Sequence, residues 1–309
     1  MMRFSVAGVR VRVRASAPDL RLTAPAVRRR FSDRSRVRPD IDLTVDWMGD
    51  PLDVVAAAED ELIFDSAQLW RLYRRPDQSW LFQFVSRRFG PAPYKVVRVA
   101  PSFERGDIFV QRAAAYRGHV DALEYPLDEL LWIHCLATRQ SVELHACGIR
   151  DLRVNDRDHE SAGYLFVGHS GAGKSTIAGH WTRMPGFQVV SDDRVIVRWD
   201  GVHRLYGTPW HGEGQHALPA AARLRAVFLL AQAPANDIRP VAPGAALARL
   251  LAASFPTFHD PSRLQATAAT VARLVETLPC YELRFLPEPS AITAVLAHLA
   301  ARPWASSVQ

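Results

Sequence analysis

Lysine is almost absent from this chain: Lys95 and Lys174 are the only two among 38 basic residues, so the other 36 are arginines. Cysteine is also scarce, and Cys135, Cys147 and Cys280 are too few for a disulfide framework. We therefore expect buried thiols in a reducing compartment, with the cytoplasm as the default location. The sequence contains no internal repeat and no run approaching the ~18 apolar residues of a membrane-spanning helix.

Positive charge is concentrated near the amino terminus. The first 40 residues hold eleven arginines and three aspartates, a net charge of +8, which leaves −2 for the rest of a chain whose total is +6. Such an excess suits nucleic acid or an anionic membrane. However, Arg10, Arg12 and Arg14 alternate with valines, which predicts the exposed face of a β-strand, where charge aids solubility and blocks edge pairing. Neither nucleic acid nor a membrane is therefore favoured as a partner.

The hydrophobic periodicity changes at Tyr125, from the period of two that is typical of strands to a mixture of that period and the helical period of 3.6. Before it, strand patterns lie at residues 4–14 (around Gly8), 41–47, 69–73, 80–85, 95–99 and 107–111, with a hairpin turn at 76–79. After it, we expect helices at 127–138, 174–182, 243–253, 261–277 and 290–300, and strands at 142–149, 163–167, 187–190, 195–199, near 205, 225–230 and 281–285. The chain thus predicts a β-rich domain at 1–120 and an α/β domain at 121–309.

A complete phosphate-binding motif follows the predicted strand at 163–167. Its residues match GxxxxGK[ST], and the candidate nucleotide contacts are Gly168, His169, Ser170, Gly171, Ala172, Gly173, Lys174, Ser175 and Thr176. The glycines let backbone N–H groups form an anion-binding nest at a helix amino terminus. Lys174 can reach the terminal phosphates, and the Ser175 hydroxyl can bind Mg²⁺. The motif strongly indicates nucleotide binding but does not separate binding from turnover.

Two adjacent carboxylates, Asp192 and Asp193, follow the strand predicted at 187–190. An acid at a strand end beside a phosphate loop is where an Mg²⁺-associated residue belongs. We expect one carboxylate to hold the metal and the other, its pKa raised by its like-charged neighbour, to take a proton from an incoming hydroxyl. The sequence does not say which does which. A polar turn is the plainer interpretation of these residues alone, but their nearness to the phosphate loop favours the functional one.

The run from Tyr206 to His216 is rich in glycine and histidine. His211, Glu213 and His216 lack the HExxH spacing, so a zinc site is disfavoured. We expect a loop that shapes an acceptor pocket, with Trp210, His211 and Glu213 as candidate substrate contacts. Trp210 offers a stacking surface, although anchoring of the loop to the core explains it equally well.

The phosphate loop, one helix and then Val-Val-Ser-Asp-Asp resemble the catalytic domain of HPr kinase/phosphorylase and of ATP-dependent phosphoenolpyruvate carboxykinase. The strand at 142–148 resembles that kinase's Leu-His-Gly strand, whose histidine lies in the active site and matches His145 here. The resemblance covers residues 125–300, most tightly 142–215. The segment 206–214 replaces that kinase's glycine-rich signature loop. The chain is therefore more similar to HPr-kinase-like proteins encoded with peptide natural-product genes, some of which phosphorylate a serine of a lasso precursor peptide.

The resemblance implies an α/β fold with a P-loop kinase core, preceded by the β-rich domain, and ATP and Mg²⁺ as cofactors. It implies catalytic roles for His145, Lys174, Asp192 and Asp193, and magnesium contacts from Ser175 and Asp192. The expected acceptor is a Ser or Thr hydroxyl of a peptide or protein, with a small hydroxylated metabolite as an alternative. A non-catalytic, nucleotide-gated interaction protein is the competing class. The oligomeric state is open, homo-oligomers included.

Overall fold

A computed structural model describes residues 1–50, 54–115, 117–155 and 160–301. The chain divides into two compact units, Met1–Cys135 and Leu136–Gln309. The division falls within one helix, some fifteen residues after the boundary expected from the sequence. Large β-sheets and several helices make the protein a mixed α/β structure. Among the described residues, no helix has both the length and the apolarity needed to cross a membrane.

The amino-terminal unit is built around an eight-stranded sheet of order β1-β2-β4-β9-β8-β7-β6-β5. Its elements are β1 (Met2–Val6), β2 (Val9–Ala15), β3 (Arg21–Leu22), α1 (Ala26–Arg29), β4 (Ile41–Trp47), β5 (Glu61–Asp65), β6 (Trp70–Arg74), β7 (Trp80–Phe84), β8 (Lys95–Val99), β9 (Arg105–Val110), β10 (His119–Val120) and α2 (Leu127–Ala137). The sequence pattern located β4 and β8 to the residue but missed β5, whose side chains are mostly exposed and show no clear alternation.

The arginine-rich segment is a hairpin rather than one strand. Ala7 and Gly8 both have positive φ, which is typical of a two-residue turn between β1 and β2. Because β2 lies between β1 and β4, it is not an edge strand, and the idea that its arginines block edge pairing is wrong. Instead Arg12 and Arg14 form ion pairs with Asp42 on β4. These two arginines therefore already have a carboxylate partner.

The second unit combines eight strands with four helices in the described part of the chain. Its elements are β11 (Ser141–Asn155), β12 (Ser161–Val167), α3 (Lys174–Thr182), β13 (Phe187–Ser191), β14 (Arg194–Trp199), β15 (His203–Gly207), β16 (Ala221–Gln232), β17 (Asp237–Pro240), α4 (Pro243–Ala252), α5 (Pro261–Thr277), β18 (Cys280–Phe285) and α6 (Ser290–Ala300). Helices α3, α5 and α6 begin and end where the sequence predicts them. Strand β17 was not predicted, because its four residues are only partly buried and carry no clear pattern.

Two apolar layers cover the faces of this second sheet. Ile177 and Trp181 of α3 pack with Phe166, Phe228 and the buried residues of α6 on one face. On the other face, residues of α4 and α5 pack against alternate residues of the same strands. Since β12 and residues 226–230 of β16 are buried on both faces, they appear in the sequence as nearly continuous apolar runs.

The long strand β11 positions the candidate site. Its first half pairs with β14, so that His145 lies opposite Arg194, and its second half pairs with β13. Strand β12 runs antiparallel to β11 on the other side and parallel to β16. Consequently Asp192 and Asp193 occupy the break between β13 and β14, next to the middle of β11.

Candidate functional site

The phosphate loop makes a tight turn from the end of β12 into α3. Gly171 and Gly173 have φ of +81° and +101°, a region that residues with a Cβ rarely adopt. A Cβ at Gly173 would also lie 2.5 Å from Cζ of Phe285, a ring that is fully buried. Two independent constraints therefore require glycine at the last position before the helix.

Substituting this glycine tests the turn. We expect Gly173→Ala to lower the free energy of unfolding by about 2–3 kcal/mol, because the new methyl group meets backbone strain and Phe285 together. The matched control is Gly179→Ala within α3, where a Cβ meets nothing within 4 Å. That change is expected to stabilise the protein by about 0.5–1 kcal/mol. Urea denaturation of both variants measures the difference, and equal effects would contradict the assigned backbone conformation.

Lys174 lies inside the loop, with only 7% of its surface exposed. Its Nζ donates to the carbonyl oxygens of Gly168 (2.8 Å) and His169 (3.1 Å). Burial lowers the pKa of this ammonium, and the charge of Asp193 opposes that shift. The lysine is therefore held at the base of the loop and interacts electrostatically with Asp193.

The other predicted loop residues surround this lysine. Ser175 is exposed at the first turn of α3, with half-buried Thr176 beside it. His169 and Ser170 are exposed, and the backbone N–H of buried Ala172 donates to the His169 carbonyl (3.1 Å). Together with the glycines, they form one continuous turn at the strand's carboxyl end.

Sequence reasoning missed Gln232 at the end of β16. Its side-chain Nε2 donates to the carbonyl oxygen of Gly171 at 2.9 Å, which ties the loop to the neighbouring parallel strand. A single glutamine at a strand end carries no motif, so only the pairing of β12 with β16 identifies it.

Asp192 is 2% exposed and lies under the loop that follows β15. Its Oδ1 accepts a hydrogen bond from the backbone N–H of Gly212 at 3.1 Å, and its Oδ2 has no hydrogen-bond partner among the described residues. A Cβ at Gly214 would come within 2.6 Å of that Oδ2, so glycine permits the close approach of the loop. A buried carboxylate oxygen without a donor is suited to a cation.

Asp193 is held from two sides. Its Oδ1 lies 2.9 Å from Nε2 of His145, and its Oδ2 lies 2.6 Å from Nη1 of Arg194. Burial alone would raise the pKa of this carboxyl, but the hydrogen bond from His145 and the charges of Arg194 and Lys174 outweigh burial and lower it. The expectation that a like-charged neighbour raises the pKa is therefore wrong for Asp193. The hydrogen bond from His145 and the positive charges of Arg194 and Lys174 lower this pKa instead.

The segment Thr208–His216 contributes backbone rather than side chains to this site. The side chain of Trp210 is buried, whereas His211 and Glu213 are exposed, and the ring of His211 contacts the neighbouring Gly212 carbonyl. His216 lies near Thr182 of α3 (Nε2 to Oγ1, 3.4 Å). Among the described residues, no group of three or more His, Cys, Asp or Glu side chains is arranged to hold a metal ion.

A cavity of about 340 Å³ lies between the phosphate loop and His145, the histidine that contacts Asp193. Gly168 and His169 form one wall, His145 and Phe255 form another, and apolar residues of β12 and β16 line the floor. Arg249 also lines it, but this arginine is already paired with Glu282 at 2.8 Å. A larger groove of about 1010 Å³ lies at the start of β12 and contains none of the residues predicted for the site.

All three cysteines are buried thiols. Cys147, on β11, is close enough to Asp192 for that charge to add to the effect of burial, and both raise the pKa of its thiol. The thiol is therefore suited to packing rather than to nucleophilic chemistry.

No protein-family model matches this sequence, and no curated protein is significantly similar to it.

Proposed function

We propose that the protein is an ATP-dependent, HPr-kinase-like phosphotransferase that transfers the γ-phosphate to a Ser or Thr hydroxyl of a peptide or protein. The observation that carries the proposal is a cavity lined both by the start of a phosphate loop and by the histidine that contacts Asp193. The first residues of a phosphate loop form one wall, the histidine bound to Asp193 forms another, and Lys174 interacts electrostatically with Asp193.

The residues that would hold the nucleotide are Gly168 to Thr176, with Lys174 at the terminal phosphates. Ser175 and Asp192 fit Mg²⁺, since one is an exposed residue with a hydroxyl group and the other has a carboxylate oxygen with no hydrogen-bond partner among the residues that the structure describes. When bound, the metal supplies positive charge that offsets the charge developing on the phosphates.

Asp193 is the proton acceptor in this proposal. It is less buried than Asp192, and the side chain of its partner His145 faces the cavity. The acceptor oxygen forms a bond to the γ-phosphorus, the bond from that phosphorus to the bridging oxygen breaks, and ADP leaves. The hydroxyl proton passes to Asp193, whose low pKa keeps it ionised before the reaction.

The direct test incubates the protein with Mg²⁺, [γ-³²P]ATP and a pooled library of Ser- and Thr-containing peptides. Label is expected on Ser or Thr, whereas ATP binding without label on any peptide would contradict the peptide-kinase proposal. Label on a small hydroxylated metabolite from a cell extract would favour that alternative instead.

The competing class, a nucleotide-gated interaction protein, predicts tight ATP binding with neither transfer nor hydrolysis. The side chain of Asp193 argues against it, because a protein that only binds nucleotide needs no ionised carboxylate held by His145 and Arg194 beside the phosphate loop.

A further inference from the structure

Arg194 connects the candidate base to a second, deeply buried carboxylate. Its Nη1 lies 2.6 Å from Asp193, and its Nε lies 3.6 Å from Oε1 of Glu143, which is 1% exposed. The guanidinium carbon lies 4.1 Å from the ring centroid of Phe255. Arg194 therefore contacts two carboxylates and one aromatic face at the same time.

The sheet builds this cluster from three separate segments. Glu143 and His145 are two residues apart on β11 and so lie on the same face of the strand. Residues after α4 run along the other side of β11: the N–H of Phe255 donates to the Glu143 carbonyl (3.0 Å), and the N–H of His145 donates to the Ala253 carbonyl (2.8 Å). These backbone hydrogen bonds thus fix the positions of Phe255, Glu143 and His145 relative to one another.

The energetics of burial restrict the arginine. A carboxylate as buried as that of Glu143 is strongly destabilising unless a cation compensates it. If Arg194 turned away to another partner, Glu143 would lose that cation. The ring of Phe255 also covers one face of the guanidinium. The contacts with Glu143 and Phe255 therefore stabilise Arg194 in the position in which its Nη1 meets Oδ2 of Asp193.

We propose that Glu143 and Arg194, with Phe255 as their platform, are positioning residues that orient the Asp193 carboxylate for the acceptor hydroxyl. An ionised carboxylate has about four acceptor positions. His145 takes one on Oδ1 and Arg194 takes one on Oδ2, so the direction of the remaining lone pairs is set by these two donors. This inference rests on the proposed kinase function.

The test compares Glu143→Gln, Arg194→Gln and the double variant with the full-length wild type. The probe is [γ-³²P]ATP, followed both by hydrolysis and by transfer to the pooled Ser/Thr peptides. We expect each single variant to lower kcat at least tenfold while the KM for ATP changes less than twofold. The double variant is expected to lose no more than the worse single variant, because both residues act through one carboxylate.

Phe255→Leu and Phe255→Tyr keep the test valid if Glu143→Gln does not fold. Phe255 is only partly buried, so both changes are expected to be tolerated. Leucine removes the aromatic face and is expected to lower kcat, whereas tyrosine keeps that face and is expected to retain it. The matched control is Glu160→Gln, which breaks an ion pair with Arg204 that shares no residue with the cluster.

Four results separate the outcomes. A wild type with neither transfer nor hydrolysis overturns the proposed function and this inference with it. If the wild type is active, three results overturn the inference alone. The first is kcat values within twofold of the wild type in both Glu143→Gln and Phe255→Leu. The second is multiplicative losses in the double variant. The third is a fall in kcat matched by an equal weakening of ATP binding.

Discussion

Replacing Asp193 with asparagine is expected to lower phosphoryl transfer by about 10²–10⁴-fold while leaving ATP binding within a few-fold of the wild type. Asparagine keeps the shape of the side chain but removes the carboxylate that we propose as the proton acceptor. A neutral amide also accepts weaker hydrogen bonds from His145 and Arg194 than a carboxylate anion does. Single-turnover transfer from [γ-³²P]ATP measures the first effect, and calorimetric titration with Mg·ATP measures the second.

The control for this substitution is Asp237→Asn, on strand β17. Asp237 pairs with Arg239, another residue of that strand, and lines neither the cavity nor the phosphate loop. It is expected to leave transfer unchanged. An Asp193→Asn protein that still transfers phosphate at the wild-type rate would remove Asp193 as the base. The same variant binding ATP and retaining all partner-dependent activity would favour the nucleotide-gated alternative.

The two carboxylates of the acidic pair are expected to differ in their response to the same change. Asp192→Asn replaces the carboxylate whose Oδ2 has no hydrogen-bond donor in the described part of the chain, so we expect the Mg²⁺ concentration needed for half-maximal activity to rise at least tenfold. Asp193→Asn is expected to leave that concentration nearly unchanged. Activity measured across a magnesium titration separates the two roles, and identical magnesium dependence in both variants would contradict the assignment.

The elements around the site could be predicted from the sequence because each has a strong local signal. Helix α3 begins at the lysine of a complete motif, and α5 begins at a proline after Asp260, whose side chain accepts a hydrogen bond from the Arg263 N–H. The apolar runs of β12 and β16 indicate strands buried on both faces. Such signals depend only on neighbouring residues, so one sequence suffices.

The direction in which the pKa of Asp193 is shifted could not be predicted from the neighbouring residues in the sequence. In the sequence, Asp192 and Arg194 flank Asp193, and the like-charged Asp192 alone predicts a raised pKa for its neighbour. In the folded chain, β11 brings His145 to Oδ1 and the start of β14 turns Arg194 onto Oδ2, and the sign reverses. Arg194 follows the acidic pair directly, but one arginine among 36 carries no signal. The contact with His145 comes from pairing between β11 and β14, which a single sequence does not specify.

The loop after β15 shows the same limit in another form. Its tryptophan, histidine and glutamate side chains drew attention as candidate substrate contacts. In the structure the backbone N–H of Gly212 donates a hydrogen bond to Asp192, and Gly214 has no Cβ that would collide with this carboxylate. The side chains of His211 and Glu213 are exposed. A glycine needed for close approach looks no different in sequence from a glycine in an ordinary turn.

Lys174 offers the other large expected effect. Lys174→Met is expected to weaken Mg·ATP binding at least tenfold and to abolish transfer, because it removes the charge that we propose meets the terminal phosphates. Lys174→Arg keeps the charge, yet we also expect at least a tenfold loss of transfer. The ammonium occupies a compact position, with Nζ bonded to the carbonyls of Gly168 and His169 at the base of the loop. A planar guanidinium is wider and presents its donors in a fixed fork, so it cannot take that position without displacing the loop.

Thermal melting of both variants shows whether the fold survives, and calorimetric titration with Mg·ATP gives the loss of affinity. The control is Arg183→Lys, an exposed charge-conserving exchange at the other end of α3, which is expected to change neither quantity. Wild-type transfer by Lys174→Arg would mean that only charge matters at this position. Arginine occupies 36 of the 38 basic positions in this chain. We expect that it cannot replace Lys174, because the ammonium of Lys174 lies against the Gly168 carbonyl at the base of the loop.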